Sequence, residues 1–378
     1  MCQPDRTMPK VISIVSYQFL PAKFGGQKAI AIFNKYFSRF VELNCITTQN
    51  NDPNVAEGYQ VMPILSTSPL RYINPLNFYS IRKQVREKQA THLMLEHPYL
   101  GWLGLFIKHF CDVKLIIRSH NIEGKRWKDL GKWWWKILLW YERLTHRRAD
   151  YNFFIQQEDM EYAILNFKLD STKCILVTYG VEISQSPSVE KRKLSRDKIC
   201  NRHSIDPNDC ILLFNGAFEY IPNRNALDYL LNQINPILLD NDSFKYKLLI
   251  CGRNIPAHIA SKSFPNVIIA GFVENIDEYF DATDVFVNPT KTGGGIKTKL
   301  VEAIAHNCNA VSTRNGAIGV DPAICNGKLL VVADNDQKLF AEGIFQVSRI
   351  QADTGAEFFQ HFFEENIARS AAQFIDNS

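Results

Sequence analysis

The most restrictive feature of the sequence is the alternation of short apolar runs with amphipathic, helix-like stretches. Runs rich in β-branched and aromatic residues between turn residues are typical of strands that are buried on both faces. In the first half of the chain these runs are Val11–Tyr17, His92–His97, Lys114–His120, Tyr151–Gln156 and Cys174–Gly180. Helical patterns separate several of them, as in GGQKAIAIFNKYFSRF. The alternation predicts an α/β fold, with a parallel sheet covered by helices on both faces.

A second series of strand-like runs follows a polar, charged break at 181–209. Its members are Cys210–Gly216, Lys247–Gly252, Asn266–Phe272, Asp284–Pro289, Asn309–Thr313 and Lys328–Val332. At 378 residues the chain also exceeds the usual size of one hydrophobic core. We therefore expect two α/β domains, at residues 1–185 and 209–355, joined by a linker at 186–208. A helical pattern at 356–378 predicts a C-terminal helix.

Composition excludes several classes of protein. A net charge of +4 is too small to indicate nucleic-acid binding. The nine cysteines contain no C-x-x-C pair, so they indicate neither a zinc site nor a disulfide framework, and free thiols fit a reducing compartment. The first residues are too polar for a signal peptide, and no apolar run approaches the ~20 residues that span a bilayer. We expect a cytoplasmic protein.

The stretch TGGGIKTKLVEAIAHN, Thr292–Asn307, follows a predicted strand and leads into a helical pattern. Glycines at the carboxyl end of a strand permit positive φ and allow a ligand to approach the backbone. The N–H groups of a helix N-terminus favour an anion, and Lys297 adds a positive charge where it does not stabilise the helix. This pattern favours a diphosphate site, with Glu302 near sugar hydroxyls. The alternative is a surface ion pair between Glu302 and Lys299, with the glycines forming an ordinary loop.

Together with the following AIAHNCNAVSTRNGAIGVD, this stretch resembles the motif of glycosyltransferase family 4, retaining enzymes of the GT-B fold. FNGAFEYIPNRNALDYL, ICGRN and NVIIAGFVENIDEYFDATDVFVNP fall in the family's order, and GGGIK is similar to one branch of it. In the first half, FLPAKFGGQKAIAIFN and SHNIEGKRW match more loosely. The resemblance implies two Rossmann-like domains facing each other across a cleft, with the C-terminal helix returning to the N-terminal domain.

The resemblance also implies a reaction and its residues. A sugar would move, with retention, from a nucleoside-diphosphate sugar to a hydroxyl of a glycan or lipid-linked acceptor, without an essential metal. His120, Lys297 and Glu302 would be catalytic, and Asn121 and Glu123 would lie on the acceptor side, in the N-terminal domain. The donor would contact Gly25, Gly26, Gly216, Arg224, Arg253, Gly271, Phe272, Val273, Gly293, Gly294, Gly295, Ile296, Lys297 and Glu302. The resemblance favours UDP- or GDP-sugars and cell-surface polysaccharide or glycolipid assembly.

The sequence departs from the family pattern at three positions. The first motif glutamate falls on Gly294, and an expected Arg and Lys fall on Ala217 and Pro222. Arg224 and Arg253 are nearby substitutes. These departures leave open an alternative, a catalytically degenerate GT-B protein that binds nucleotide-sugar or glycan without turnover.

The segment Trp133–Arg148 combines four tryptophans with basic residues. Such a composition indicates a helix that lies on an anionic membrane, peripheral to its inner face. The alternative is a helix that faces the core and whose basic residues are solvated. Three consecutive tryptophans cannot all face one core, because successive helix positions rotate by about 100°. At least one is therefore expected to be exposed. Two histidines are expected to be structural, His97 by packing and His306 as a helix C-terminal residue.

Overall fold

The structure is a computed structural model that describes residues 8–23, 25–262 and 264–376. It divides into two units, one formed by 1–182 with 364–378 and the other by 183–363. Each unit contains one parallel sheet with helices around it, so the fold is the two-domain, Rossmann-like GT-B fold that the sequence predicts.

The sheet of the first unit has the strand order β3-β2-β1-β4-β5-β6-β7 within the described residues, and every pairing is parallel. Its strands are β1 Lys10–Val15, β2 Glu42–Thr48, β3 Gln60–Leu65, β4 His92–Glu96, β5 Lys114–Ser119, β6 Tyr151–Phe154 and β7 Cys174–Leu176. Its helices before the chain leaves the unit are α1 Gly25–Phe37, α2 Leu76–Glu87, α3 Gly101–Cys111, α4 Glu123–Asp129, α5 Trp135–Arg148 and α6 Gln157–Phe167. The strand order reverses between β1 and β4, which is where open α/β sheets bind ligands.

The sheet of the second unit has the order β10-β9-β8-β11-β12-β13, again parallel throughout the described part. Its strands are β8 Cys210–Ala217, β9 Tyr246–Arg253, β10 Val267–Gly271, β11 Val285–Asn288, β12 Asn309–Thr313 and β13 Leu329–Val332. Its helices are α7 Val189–His203, α8 Ile221–Tyr229, α9 Asn235–Leu239, α10 Ala257–Ala260, α11 Ile276–Ala282, α12 Thr298–Ala305, α13 Gln337–Val347 and α14 Ala356–Phe362. A π-helical turn, Leu230–Ile234, joins α8 to α9. The order reverses between β8 and β11.

The segment at 186–208, interpreted as a linker, contains the 15-residue helix α7 and lies in the second unit. Ser188 caps its N-terminus, and Ser195, Ile199 and Cys200 are buried. The Arg196 guanidinium lies 2.9 Å from the carboxylate of Asp284 and so ties the helix to the sheet. Most of the surface of this helix is charged and only a narrow face is buried, so its sequence has the polar composition of a linker.

The pattern at 356–378 predicts one helix, but the structure has α14 and a further helix, α15 Glu364–Asp376, separated at Phe363. The residue Phe363 has extended φ and ψ angles, and there the chain re-enters the first unit. The helix α15 packs against α1. Its Ile367, Ala371 and Ile375 join the core beneath the first sheet. The expected return of the C-terminal helix to the N-terminal domain is confirmed.

Candidate functional site

The glycine-rich loop of the second unit lies directly after β11, beside the reversal of strand order. Gly293 and Gly295 have φ values of 93° and 77°, a region that residues with a side chain rarely adopt. A Cβ atom on Gly293 would come within 2.7 Å of the Tyr220 hydroxyl, so the loop packs closely on the segment after β8. These turns delay the helix until Thr298. Lys297 is therefore the extended N-cap residue, one position before the helix begins.

The Lys297 side chain folds back over this loop. Its Nζ donates to the carbonyl oxygens of Gly293, at 3.0 Å, and Gly295, at 2.7 Å. Burial lowers the pKa of this ammonium to about 8. Two carbonyl oxygens of the loop thus surround the ammonium group of Lys297.

A second lysine, Lys299, lies in the first turn of α12 and was not assigned to the site from the sequence. Its Nζ donates to the carbonyl oxygen of Asn215, at 3.1 Å, and to Oδ1 of Asn223, at 3.2 Å. It also lies 4.3 Å from the centre of the Phe214 ring. Burial and the charge of Lys297 lower its pKa to about 7. The alternative of a surface ion pair is wrong for Lys299, which is half-buried and points toward β8 and α8.

Neither ammonium has a carboxylate within ion-pair distance in the described parts of the chain. Two neighbouring, partly buried cations without a counter-charge favour an anion between them and the backbone. The useful signal in the sequence is the repeated Lys in IKTK, which places one cation at the N-cap and the next in the first turn.

The remaining donor-side residues surround the carboxyl ends of β8 to β11. Glu302 is half-buried on α12, one turn beyond Lys299. Gly216 is the second-last residue of β8, and a Cβ atom there would contact the Asn223 side chain. Gly271 ends β10 with a φ of 70°, and the following Phe272 is 66% exposed.

The two substitute arginines differ in their surroundings. Arg253 lies with its guanidinium 5.8 Å from the Phe272 ring, and Val273, the next residue after Phe272, is half-buried. Arg224 is exposed on α8, where its Nε donates to the Phe218 carbonyl. Gly294, at the position of the missing motif glutamate, is exposed, and Ile296 is half-buried. The structure therefore brings Arg253 and Phe272 together and leaves Arg224 exposed on α8.

In the first unit, His120 follows β5 and is almost fully buried. Its Nε2 lies 2.6 Å from Oε2 of Glu96, the last residue of β4. The Arg118 guanidinium lies 3.1 Å from the other carboxylate oxygen of Glu96. Burial raises the pKa of Glu96, but Arg118 and His120 outweigh it and lower that pKa to about 2. Burial lowers the pKa of His120 to about 4, so this ring is neutral at pH 7.

A second histidine, His97, stacks on His120 with ring centres 4.3 Å apart. Its Nε2 lies 3.1 Å from the Tyr17 hydroxyl, and its Nδ1 lies 3.2 Å from Oε1 of Glu123. His97 also has a φ of 68°, a strained value for a residue with a side chain. The expectation of a simple packing role missed this group of polar contacts. The signal was present in LEH, an acid and a histidine together at a strand end.

Glu123, expected on the acceptor side, is fully buried. Its carboxylate accepts from the Tyr99 hydroxyl and lies 3.2 Å from the Arg126 guanidinium. Burial raises its pKa, but His97, Tyr99 and Arg126 together lower it to about 2. The carboxylate therefore holds its neighbours and is not on the protein surface.

The other first-unit candidates are on loops and helix ends. Gly25 and Gly26 begin α1, and a Cβ atom on Gly26 would meet nothing within 4 Å. Asn121 is half-buried, and its carbonyl oxygen accepts from the Ser119 hydroxyl. His306 is a C-cap residue, as expected, but it is buried and bonded to Asp281 at 2.6 Å.

The tryptophan segment is only partly helical, because α5 begins at Trp135. Trp133 is 83% exposed and Trp140 is 64% exposed, which confirms that the tryptophans do not share one buried face. Ile137 is also exposed between them. Across 8–23, 25–262 and 264–376, no helix has the length and apolar character that a membrane crossing requires. The same ranges contain no cluster of three or more His, Cys, Asp or Glu side chains arranged for a metal ion.

Comparisons with known proteins assign a family model to each half. Residues 37–185 match the model described as Glycosyltransferase Family 4, and residues 209–349 match the one described as Glycosyl transferases group 1. The chain is 28% identical over 288 residues to an uncharacterized 44.6 kDa protein in the cps region of Klebsiella pneumoniae, covering 71% of this chain and 69% of that protein.

Two solved structures share the fold along nearly the whole chain. Sucrose-phosphate synthase from Thermosynechococcus elongatus is 16% identical with a TM-score of 0.71, covering 97% of this chain and 98% of that one. The Anabaena protein HepE in complex with UDP-glucose is 12% identical with a TM-score of 0.71, covering 98% of this chain and 100% of that one.

Proposed function

We propose that this chain, a glycosyltransferase with the GT-B fold, moves a sugar from a nucleoside-diphosphate sugar to a hydroxyl group of a glycan or lipid-linked acceptor, with retention of configuration. The observation that carries the proposal is the pair of partly buried lysines, Lys297 and Lys299, without a carboxylate partner at the strand-order reversal of the second unit. HepE, which has this fold, is described in complex with UDP-glucose, so a UDP- or GDP-sugar is the donor class that we favour.

In this proposal the two lysines bind the diphosphate. As the bond to the sugar breaks, negative charge grows on the leaving phosphate, and preorganised cations stabilise that charge. The carbonyl oxygens that now accept from Lys297 and Lys299 hold both ammonium groups in place before the ligand arrives. This arrangement can supply the charge that a metal ion supplies in other transferases, and we propose that transfer needs no metal.

Glu302 would bind the ribose hydroxyl groups of the donor. It lies on the helix that carries Lys299, one turn further on, and helical side chains lean toward the helix N-terminus. A carboxylate accepts two hydroxyl hydrogen bonds more strongly than a neutral amide does.

Replacing Glu302 with glutamine is therefore expected to weaken UDP binding by about tenfold, since a charged hydrogen bond is worth about 1–2 kcal/mol more than a neutral one. Isothermal titration with UDP measures this change. The control is Glu342→Gln, at an exposed position on α13. Equal affinities for both variants would remove Glu302 from the ribose site.

A thermal-shift panel with UDP, GDP, ADP, dTDP and CMP, each with and without EDTA, tests the proposal directly. A ligand that binds only the native state at 100 times its Kd adds about 2.7 kcal/mol of stability. We expect UDP or GDP to raise the Tm equally with and without EDTA. No shift with any nucleotide would refute the donor site, and a shift lost in EDTA would refute the metal-independent form.

A second candidate is a protein that binds donor or glycan without turnover, because Gly294, Ala217 and Pro222 replace three family positions. An assay for release of UDP from UDP-glucose and UDP-galactose, and of GDP from GDP-mannose, distinguishes the two. Release above the buffer rate supports the transferase. Nucleotide binding without release from any of these sugars, even with extracts of membrane lipid and glycan as acceptors, favours the binding protein.

We also propose that the protein works at the surface of an anionic membrane, in the assembly of cell-surface polysaccharide or glycolipid. The exposed apolar side chains of Trp133, Ile137 and Trp140 are accompanied by exposed Lys136 and Arg147. This combination suits an interface that has apolar chains below and phosphate groups above. The similarity to a protein in the cps region of Klebsiella pneumoniae is consistent with the polysaccharide part.

The double replacement Trp133→Ser with Trp140→Ser is expected to weaken binding to phosphatidylglycerol vesicles by at least about tenfold. Each tryptophan side chain that enters the membrane contributes more than about 1 kcal/mol to the binding free energy, and serine does not replace it. Flotation of the protein with vesicles measures it. Leu165→Ser, at an equally exposed position on α6, is the control. Binding that is unchanged in the double variant, or equally strong on phosphatidylcholine, would contradict the proposal.

A further inference from the structure

The stacked rings of His97 and His120 are held from both sides by separate buried carboxylates. Glu96 lies 2.6 Å from His120, and Glu123 lies 3.2 Å from His97. Both carboxylates are fully buried, and each has an arginine of its own, Arg118 for Glu96 at 3.1 Å and Arg126 for Glu123 at 3.2 Å. Each carboxylate therefore has an arginine as its counter-charge besides the histidine that it contacts.

These contacts determine where each ring carries its proton. An ionised carboxylate only accepts, so the Nε2 of His120 must donate to Glu96. The neutral ring then keeps an unprotonated Nδ1, which accepts a hydrogen bond. In the second ring, Nδ1 of His97 lies 3.2 Å from Oε1 of Glu123, and Nε2 lies 3.1 Å from the Tyr17 hydroxyl.

His97 lies between Tyr17 and Glu123, which contact its two nitrogens, and offers one ring face to His120. A stacked neighbour restricts the rotation of the His120 ring, while the bond to Glu96 fixes its remaining orientation. The left-handed backbone at His97 brings this ring to the end of β4, and strain of that kind is found where the surrounding structure determines a position.

We infer that Glu96 and His97 are positioning residues that hold His120 as a neutral ring with its proton on Nε2, so that Nδ1 accepts a hydrogen bond from a hydroxyl group of the sugar or the acceptor. The role of Nδ1 toward a substrate rests on the proposed function, whereas the protonation state does not. His120 then orients a hydroxyl group and does not act as a general acid. Glu123 and Tyr17 act one step further away, by holding His97.

The groups that face His120 also set its response to pH. These are Glu96, Arg118 and His97, with Tyr17, Glu123 and Arg126 around the second ring. Burial and the adjacent ring both oppose a charge on His120 and lower its pKa to about 4. The ring should consequently remain neutral from pH 5.5 to pH 8.

Nitrogen NMR of protein labelled with 15N-histidine tests this protonation state without any substrate. The His120 signals, assigned by their loss in His120→Gln, should show a protonated Nε2 and an unprotonated Nδ1 throughout that pH range. A proton on Nδ1, or a charged ring at pH 7, would overturn the inference. This readout stands even if no nucleotide binds, so its failure is distinguishable from failure of the proposed function.

Glu96→Gln supplies the second test, because the glutamine amide can donate to Nε2 and so move the ring proton to Nδ1. We expect the NMR signals to exchange character and nucleotide release to fall by about 10- to 100-fold, the range for partners that orient a functional ligand. UDP affinity should remain within about twofold. Asp150→Asn, a carboxylate-to-amide change near the opposite end of the same sheet, is the control. An unchanged ring signal and unchanged release in Glu96→Gln would overturn the role of Glu96.

Tyr17→Phe keeps the inference testable if Glu96→Gln does not fold. It removes only the hydroxyl that lies 3.1 Å from His97 Nε2. The His120 tautomer should remain while its line broadens as the stacked ring loses one restraint, and release should fall by a few-fold. A sharp, unchanged His120 line together with unchanged release would remove His97 from the positioning role.

Discussion

Replacing Lys299 with methionine should slow nucleotide release from the sugar donor by at least about 100-fold, the loss that accompanies removal of one group stabilising a developing negative charge. The fold should be undisturbed. The Lys299 ammonium is half-buried without a carboxylate partner, and its lowered pKa means that the unliganded protein bears a cost for the charge. The Tm of the unliganded variant should therefore equal or exceed that of the wild type, while UDP stabilises it less.

The matched control for this substitution is Lys291→Met. Lys291 precedes the glycine loop, and its Nζ lies over the Tyr229 ring, away from the carbonyl oxygens that bind the other two lysines. Release at the wild-type rate is expected for it. If Lys291→Met and Lys299→Met lose the same activity, the effect belongs to the loop and not to a phosphate contact.

The same lysines make UDP binding depend on pH. Their pKa values are lowered to about 8 and about 7, so the unfolded chain holds more protons than the unliganded native protein above pH 7. Stability of the unliganded protein from these groups rises with pH up to the ordinary lysine pKa. A diphosphate favours the charged ammonium, so binding takes up protons and weakens as pH rises from 7.5 to 9. Titrations in two buffers of different ionisation enthalpy measure that uptake, which should fall in Lys299→Met.

Replacing His120 with alanine should lower nucleotide release by about 100-fold with UDP affinity unchanged, because an oriented hydroxyl group is lost while the lysines and Glu302 remain. Separate measurements of kcat and of the Kd for UDP distinguish the two variants, because His120→Ala lowers kcat whereas Glu302→Gln raises the Kd. His92→Asn is the control, since His92 begins the strand whose other end carries Glu96. Equal loss of release in the two histidine variants would point to general damage of the first unit.

Sequence patterns located most strands of the second unit to within a residue or two, because each is an apolar run bounded by turn residues. Two strands of the first unit were missed. The strand β2 contains Asn44, Thr47 and Thr48, all of which are buried. These polar residues interrupt the apolar run by which a buried strand is identified in a sequence. The strand β3 contains a proline at position 63, a residue that is tolerated at the edge of a sheet and that argues against a strand in the sequence.

The sequence predicted those site residues that are close together along the chain and missed those that only the fold brings together. The glycine run, Lys297 and Glu302 are close together in the sequence. In the structure they lie on one loop and the helix that follows it. The roles of Glu96 and His97 depend on the neighbourhood of β4 and β5, which parallel pairing brings together from 22 positions apart. The sequence shows a lysine at position 299 but not where its side chain points. The side chain reaches Asn215 because of the residue at which α12 begins, and glycines with positive φ determine that starting point.

The last helix has a consequence for how the chain is made. The backbone N–H of Glu364 donates to the carbonyl oxygen of Val181, so the chain leaves the first unit and re-enters it at neighbouring points. During translation the first unit emerges early but lacks Ile367, Ala371 and Ile375, which fill its core beside Phe33. Domains usually fold in the order of synthesis. Here the first core is completed only after the entire second unit has been synthesised, so until then the apolar surface that these three residues cover in the folded protein lacks its partner.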